Sequence, residues 1–158
     1  MSEEKSPAEF YFGYCTMLEA AEMNRLCPGA RALGVYQLSG YRMRFSSFHD
    51  EPTQGSCDLE VLDGHRLWGL LYEMVGTEYD ALDVMAGVDR GYLQRIDVTI
   101  TNDNGDTRCA TTYRSPRPGE AFKPSVAYTR PILAGARELR LPAAYIQELE
   151  AIVATAQA

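Results

Sequence analysis

Histidine and lysine are scarce in this sequence, and acidic residues outnumber basic ones. The 158 residues include 15 Lys plus Arg, 22 Asp plus Glu and only 2 His, which gives a formal net charge of -7. A protein that neutralises nucleic-acid phosphates needs a concentrated basic surface. The basic residues here are mostly Arg, and these are scattered from Arg25 to Arg140. The composition therefore argues against a nucleic-acid partner.

Long apolar runs are also missing. No stretch approaches the roughly 20 apolar residues that a membrane-spanning helix requires, and the first eight residues lack the basic and apolar regions of a signal peptide. These absences predict a soluble, cytoplasmic protein with no membrane partner. The length predicts one domain, with residues 1–8 as a disordered leader and residues 9–156 as the folded unit.

The sequence contains no Cys-x-x-Cys pair, and neither His49 nor His65 has a second ligand three or four residues away. This spacing predicts no metal site, and no other cofactor is expected. A chain of this size buries about two thirds of its unfolded surface, so a disulfide is not needed for stability. We expect the cysteines to be small buried side chains in a reducing compartment. They are Cys15, Cys27, Cys57 and Cys109.

The order of predicted elements indicates an α+β domain with a curled, barrel-like sheet rather than alternating β-α-β units. An Asp63-Gly64 pair predicts a hairpin between two short strands, and the segments Ser47–Ser56 and Ser115–Pro124 are predicted loops. Predicted strands are Glu9–Tyr14, Arg31–Tyr36, Tyr41–Ser46, Asp58–Leu62, Arg66–Met74, Tyr92–Thr101 and Thr107–Arg114. Predicted helices are Met17–Leu26, a short one after Thr77 that ends at Gly87, one from Ser125 toward Gly135 that Pro131 should kink or shorten, and one from Pro142 to about Ala156.

Five segments of the chain carry motifs of a known family. They are Tyr11–Leu18, Leu67–Met74, Ala81–Val88, Pro124–Tyr128 and Gly135–Pro142. In the same order, they resemble motifs of the gamma-glutamylcyclotransferase-like proteins, also called the AIG2-like or BtrG-like family. The family's first-strand motif is Tyr-Phe-Ala-Tyr-Gly-Ser-Asn, and a later strand reads Val-Trp-Gly-Val-Leu-Tyr-Glu. The resemblance spans nearly the whole chain and implies a small mixed β-barrel with peripheral helices.

The resemblance also implies a type of reaction. Family members cyclise a γ-glutamyl group: the substrate's α-amine attacks its own side-chain amide carbonyl, which releases an amine and leaves 5-oxoproline. One carboxylate in a partly desolvated cavity moves the proton, because burial raises its pKa toward neutrality. In the family this carboxylate is a glutamate just before a Gly-Val pair, and backbone groups of the first-strand loop bind the charged end of the substrate.

This chain departs from the family at the positions that carry the chemistry. Ala86 occupies the place of the glutamate, and a methyl group cannot transfer a proton. The segment Cys15–Met17 replaces Gly-Ser-Asn, and Leu93 stands where relatives commonly have Tyr. We therefore expect a ligand less polar than a zwitterionic glutamyl group. The predicted binding residues are Tyr14, Thr16, Met17, Leu18, Ala86, Leu93, Ser125 and Tyr128.

Other residues are candidates for catalysis. Cys15, between a strand and a helix, is a candidate nucleophile, although His49 or His65 could act as its base only if a loop folds over it. The alternative is a buried packing cysteine. Asp58 or Glu73 could be a relocated acid if either side chain points inward, and Asp83 is expected to make structural hydrogen bonds.

The sequence thus predicts a repurposed member of the family that acts on a small, relatively apolar substrate. The reaction would be an intramolecular cyclisation or acyl transfer in specialised metabolism, in which binding and shape contribute more than acid-base chemistry. The alternative is an inactive homologue that binds a small ligand or a protein partner. A third hypothesis is that the protein still cyclises γ-glutamyl groups, with Asp58 or Glu73 as the acid.

Overall fold

A five-stranded closed barrel forms the centre of the protein. The computed structural model describes residues 9–48 and 51–158, with Pro52 described by its backbone alone. The sheet order is β3-β1-β5-β4-β2-β6, and an additional pairing of β3 with β2 closes the first five strands into a barrel. β1 and β5 are parallel and the remaining pairs are antiparallel, so the predicted mixed barrel of the α+β class is confirmed. The strands are β1 (Phe10–Gly13), β2 (Arg31–Phe48), β3 (Glu51–Glu73), β4 (Gln94–Thr101), β5 (Thr107–Arg114) and β6 (Pro118–Ala121).

Four α-helices surround the barrel, as expected for this architecture. They are α1 (Ala20–Leu26), α2 (Tyr79–Met85), α3 (Val126–Glu138) and α4 (Ala143–Gln157), and short 3-10 turns occupy Thr16–Leu18, Gly76–Glu78 and Val88–Arg90. The predicted caps are confirmed: Ser125 Oγ accepts a hydrogen bond from the Tyr128 amide, and Gly87 after α2 has a φ of 69°. Pro131 does not shorten α3, which continues to Glu138. Within the described part of the chain, no helix is long and apolar enough to cross a membrane.

The segment from residue 31 to residue 73 differs from the prediction. Instead of four short strands it forms two long ones, and Glu51–Ser56, predicted as loop, belongs to β3. The Asp63-Gly64 pair is not a hairpin turn. Pairing shifts from Ser39 opposite Arg66 to Tyr41 opposite Val61, so the intervening residues of β3 bulge out. A bulge, like a turn, favours a glycine in the left-handed backbone conformation, and Gly64 has a φ of 80°. The predicted loop 115–124 likewise contains the short strand β6.

Two apolar clusters pack on opposite faces of β1. Phe10 and Phe12 point into the main core, which α3 and α4 cover, whereas Tyr11 points into a second cluster with Met23 and Tyr72. Alternate residues of a strand face opposite sides of the sheet, which explains this division. Each fully buried large side chain contributes roughly 1.5–3 kcal/mol.

Gly135 lets α3 approach the segment that follows β1. A Cβ placed on Gly135 would lie 2.4 Å from the Leu18 carbonyl carbon and 2.4 Å from the Glu19 amide nitrogen. These are backbone atoms, which cannot rotate away as a side chain can. The close approach therefore fixes the position of residues 16–18 against the helix.

We expect Gly135→Ala to lower the free energy of unfolding by about 2 kcal/mol, because the added methyl group overpacks a backbone contact. Gly76→Ala is the matched control, since a Cβ there meets no atom within 4 Å, and its effect should stay within about 0.5 kcal/mol. Urea denaturation of the two variants tests this. Equal effects at the two positions would show that the approach of α3 is not tight.

Candidate active site

A cavity of about 400 Å³ opens beside the segment that follows β1. It lies among the end of β1, the C-terminal end of α2, the first half of β3 and the start of α3. Its lining is Tyr11, Tyr14, Cys15, Thr16, Phe48, Thr53, Gln54, Gly55, Ser56, Cys57, Met85, Ala86, Leu93, Tyr113, Phe122 and Tyr128.

The structure brings six of the predicted site residues together at this cavity. They come from four separate parts of the chain, and the barrel and α3 place them side by side. Ala86 and Leu93 are buried, and their apolar side chains form part of the cavity wall. The six residues are Tyr14, Cys15, Thr16, Ala86, Leu93 and Tyr128.

Three other predicted binding residues lie elsewhere, and each position has a structural cause. Met17 is buried in the second cluster, where its carbonyl oxygen accepts a 2.6 Å hydrogen bond from the Tyr72 hydroxyl. Leu18 is buried in the main core. Ser125 caps α3 from an exposed position. None of these three residues is part of the lining of this cavity.

Sequence reasoning missed several lining residues. Thr53–Ser56 belonged to a predicted loop, and nothing in their spacing indicated that β3 would carry them to the cavity. Phe122 follows β6 in a segment without periodicity, so no local pattern identified it. Tyr113 lies on the predicted strand Thr107–Arg114, but no residue of that strand was a predicted site residue, so its spacing gave no signal either.

Cys15 and Cys57 form a disulfide across the wall of the cavity, with their Cα atoms 6.3 Å apart. Cys27 is buried with a free thiol and Cys109 is exposed with a free thiol. The expectation of four buried, reduced cysteines is therefore wrong. The sequence separation of 42 residues gave no indication of the bond, which depends on barrel closure. Cys15 has no free thiol here, so a role as nucleophile would require reduction first.

The described lining of the cavity contains no charged side chain. Its polar groups are hydroxyls, one amide and backbone. Burial raises the pKa of Tyr11, Tyr14, Tyr113 and Tyr128, so these phenols stay protonated near neutral pH. The cavity can therefore donate hydrogen bonds, but its tyrosines cannot serve as bases.

Asp83 lies outside the cavity and fixes the Tyr113 side chain, which forms part of the cavity wall. It accepts hydrogen bonds from the Tyr113 hydroxyl at 2.6 Å and from two nitrogens of Arg95 at 2.8 and 2.6 Å. Burial by itself would raise the pKa of Asp83, but the hydrogen bonds from Arg95 and Tyr113 lower it overall. The carboxylate thus stays ionised and holds the Tyr113 ring in place, in agreement with the structural role predicted for it.

Two other candidate groups, Glu73 and His65, do not line the cavity. Glu73 pairs with Arg31 at the end of β3, and His65 Nε2 lies 3.1 Å from Glu148 Oε2 beside α4. His49 lies outside the described residues. Among those described, no group of three or more His, Cys, Asp or Glu side chains lies close enough together to hold a metal.

Among the described residues, Asp58 is the one buried carboxyl beside the site, at 1% exposure. Its Oδ1 accepts hydrogen bonds from the amides of Leu59 and Ser115, and its Oδ2 accepts one from Ser46 Oγ. Desolvation nevertheless raises its pKa. With both oxygens occupied, Asp58 joins β3 to the end of β5 rather than facing a ligand.

A second cavity, of about 560 Å³, lies between α4 and β2. It is larger, but it contains none of the predicted binding residues and shares only Phe122 with the first. Its rim carries Arg42, Arg44, His65, Lys123 and Glu148. We therefore place the candidate site in the smaller cavity, where the motif residues converge.

The raised pKa of Asp58 predicts a pH-dependent contribution to stability. A carboxyl whose pKa is higher in the folded protein contributes stability that is fully present below the unfolded pKa of about 3.9 and lost as the pH rises through the folded value. Asp58→Asn cannot titrate, although its amide oxygen can still accept from both amides. The free energy of unfolding of the native protein minus that of Asp58→Asn should therefore fall as the pH rises from about 4.

Urea denaturation across a pH series measures this difference. Asp63→Asn, at an exposed position, controls for the removal of one surface carboxylate. A difference for Asp58→Asn that grows with pH would contradict the raised pKa.

Comparison with known proteins identifies the family of the chain. The sequence profile of the AIG2-like family matches residues 66–149. The chain is 26% identical to the gamma-glutamylcyclotransferase of Homo sapiens and 25% identical to that of Bos taurus, each over 146 residues that cover 90% of this chain and 77% of the relative. A solved structure described as a gamma-glutamyl cyclotransferase superposes with a TM-score of 0.84 at 26% identity, over 90% of this chain and 86% of that one. The chain therefore belongs to the AIG2-like family.

Proposed function

We propose that this protein is a cyclotransferase-type enzyme for a small acyl amide that lacks the charged α-carboxylate of a γ-glutamyl group. The observation that carries this proposal is the uncharged lining described for the cavity. The family and its relatives support the type of reaction, an amine attacking its own amide carbonyl. A role in specialised metabolism is part of the same proposal.

Burial of charge favours a neutral ligand. Moving an ionised carboxylate or ammonium group out of water costs several kcal/mol unless a partner charge or enough hydrogen bonds compensate it. The described lining residues supply only neutral hydroxyls, an amide and apolar groups. A neutral ligand with an amine, an amide and an aliphatic chain has a much smaller desolvation cost when it enters the cavity.

The chemistry must proceed without a carboxylate at residue 86. Positioning the amine and the carbonyl within one cavity supplies proximity, which accelerates ring closure without any acid or base. The Tyr14 and Tyr113 hydroxyls already donate to the Tyr113 carbonyl and to Asp83. Other neutral donors of the lining, such as Thr16 and Gln54, can stabilise the developing oxyanion by hydrogen bonding. Because Ala86 cannot accept a proton, the attacking amine has to enter in its neutral form.

The alternative class is a binder that no longer turns over a substrate. The observation in its favour is Ala86, which the family resemblance places where relatives carry the acid-base glutamate. The two classes differ in one respect that can be measured, since a binder retains ligand affinity and releases no product.

A matched pair of amides tests the substrate class. N-butyl-4-aminobutanamide would close to 2-pyrrolidinone and release butylamine, and γ-glutamylbutylamide would give 5-oxoproline and the same amine. We expect 2-pyrrolidinone to form at a rate at least about tenfold above that of 5-oxoproline, because only the second substrate carries the buried carboxylate. Mass spectrometry of the two lactams measures the ratio.

Faster formation of 5-oxoproline would overturn the proposed substrate class. Binding of the uncharged amide by calorimetry, with no lactam formed, would overturn the enzyme assignment in favour of the binder.

The pH dependence tests the absence of a general base. The rate of lactam formation should rise about tenfold per pH unit between about pH 6 and 9, following the neutral fraction of an alkylamine whose pKa is about 10. Ala86→Glu should raise the rate at pH 7 by roughly 100-fold, because it places a carboxylate in the cavity. Ala86→Gln is the matched control of similar size and should give no increase.

A native rate that does not change with pH would show that another group takes the proton. Circular dichroism of both variants checks that the fold is retained.

A further inference from the structure

We propose that the Cys15–Cys57 disulfide is a reversible exchange site that captures a low-molecular-weight thiol on Cys15. The proposal rests on the same cavity as the proposed function, but it requires no turnover there. Both cysteines line the cavity, so a small thiol that enters it meets the bond directly.

The two sulfurs differ in access. Cys15 is half-buried, whereas Cys57 is 3% exposed within β3. Exchange requires in-line approach of a thiolate to one sulfur and departure of the other, so rates depend on access. Cys15 is therefore the sulfur that an incoming thiol attacks, and Cys57 is the leaving group.

The exchange balances without any further reagent. A thiolate RS⁻ forms a bond to Cys15 Sγ while the Cys15–Cys57 bond breaks, and the electron pair leaves on Cys57, which takes a proton from water. The product is a mixed disulfide of Cys15 with R and a free Cys57 thiol. Attack by Cys57 on Cys15 restores the original bond and releases RSH, whereas attack by a second thiol releases RSSR and leaves both cysteines reduced.

Tyr128 contacts both partners of the exchange. Its hydroxyl lies 3.7 Å from Cys15 Sγ and accepts a 3.1 Å hydrogen bond from the Cys57 amide. The hydroxyl oxygen accepts from that amide, so the hydroxyl proton remains free to donate to Cys15 Sγ. A hydrogen bond to a sulfur anion favours the thiolate, so reduced Cys15 is prepared to react with an incoming disulfide.

Opening the bond does not release the segment around Cys15. The Cys15 carbonyl accepts from the Leu18 amide at 3.0 Å, and the Met17 carbonyl accepts from the Tyr72 hydroxyl. The Tyr14 hydroxyl donates to the Tyr113 carbonyl at 3.0 Å. These bonds keep the segment in place, so Cys57 remains close enough to resolve the mixed disulfide and the exchange is reversible.

The experiment uses the full chain with Cys109→Ser, which removes the exposed free thiol. Thiol titration after unfolding without reductant should detect one thiol, from Cys27. Two further variants of this protein are then made, one with Cys57→Ser and one with Cys15→Ser. Each is mixed in its folded state with 2-hydroxyethyl disulfide. Intact mass should show one mixed disulfide in each case, with the Cys57→Ser protein reacting at Cys15 at least about tenfold faster.

Size supplies a second control. A polyethylene glycol disulfide is too large for a cavity of about 400 Å³, so it should label Cys15 much more slowly than 2-hydroxyethyl disulfide does. Circular dichroism establishes that both variants are folded. If either fails to fold, reduction of the Cys109→Ser protein by 2-mercaptoethanol, followed by peptide mapping of trapped mixed disulfides, reports the same preference.

Three results would overturn the proposal. They are three free thiols in the unreduced protein, labelling of Cys57 as fast as Cys15, and equal rates with the small and the polymeric disulfide. None of them depends on lactam formation, so failure of the proposed function leaves this test intact.

Discussion

The curvature of β3 is the constraint on which the rest of the structure depends. A straight strand from Cys57 to Leu70 would span about 43 Å. However, Leu70 pairs with Gly13, and Cys15, two residues further along, is bonded to Cys57 with a Cα separation of 6.3 Å. These contacts limit the distance from Leu70 to Cys57 to roughly 20 Å. β3 must therefore bend back over the end of β1, and the bulge at Gly64 adds to that bend. The bend creates the cavity, because it brings the first half of β3 beside the segment that β1 leads into.

The electrostatics of the cavity follow from its position between two apolar clusters. Tyr11 and Tyr113 belong to the second cluster, and Tyr14 belongs to the main core. Burial raises the pKa of these phenols, and it would also raise the pKa of a carboxyl placed among them. The same surroundings would suit a glutamate that has to hold a proton near neutral pH. With Ala86 at that corner, they support the proposed uncharged ligand instead.

Much of the fold could be predicted from the sequence because its signals are local. The alternation of Ile96, Val98 and Ile100 identified β4, and Ser125 identified the start of α3. The signals that failed were those with two structural meanings: Asp63-Gly64 suits a turn or a bulge, and only pairing across the barrel decides between them. The same limit applies to the site. The motif segments located Tyr14, Ala86 and Tyr128, whereas Phe122 and the Cys15–Cys57 bond depend on long-range closure.

The disulfide changes how the replacement of the family's glycine by Cys15 is interpreted. Taken alone, a cysteine in place of the family's glycine adds bulk where a backbone approaches a ligand. Paired with Cys57, it clamps the segment to β3 and forms part of the cavity wall. The described lining of the cavity carries no charged side chain, so its affinity for a ligand depends on how accurately its walls are held. Gly135 against Leu18, Tyr72 against Met17 and the disulfide all act on the same few residues. Of these three, only the disulfide can be opened by a thiol, and the other two contacts hold the segment in place when it opens.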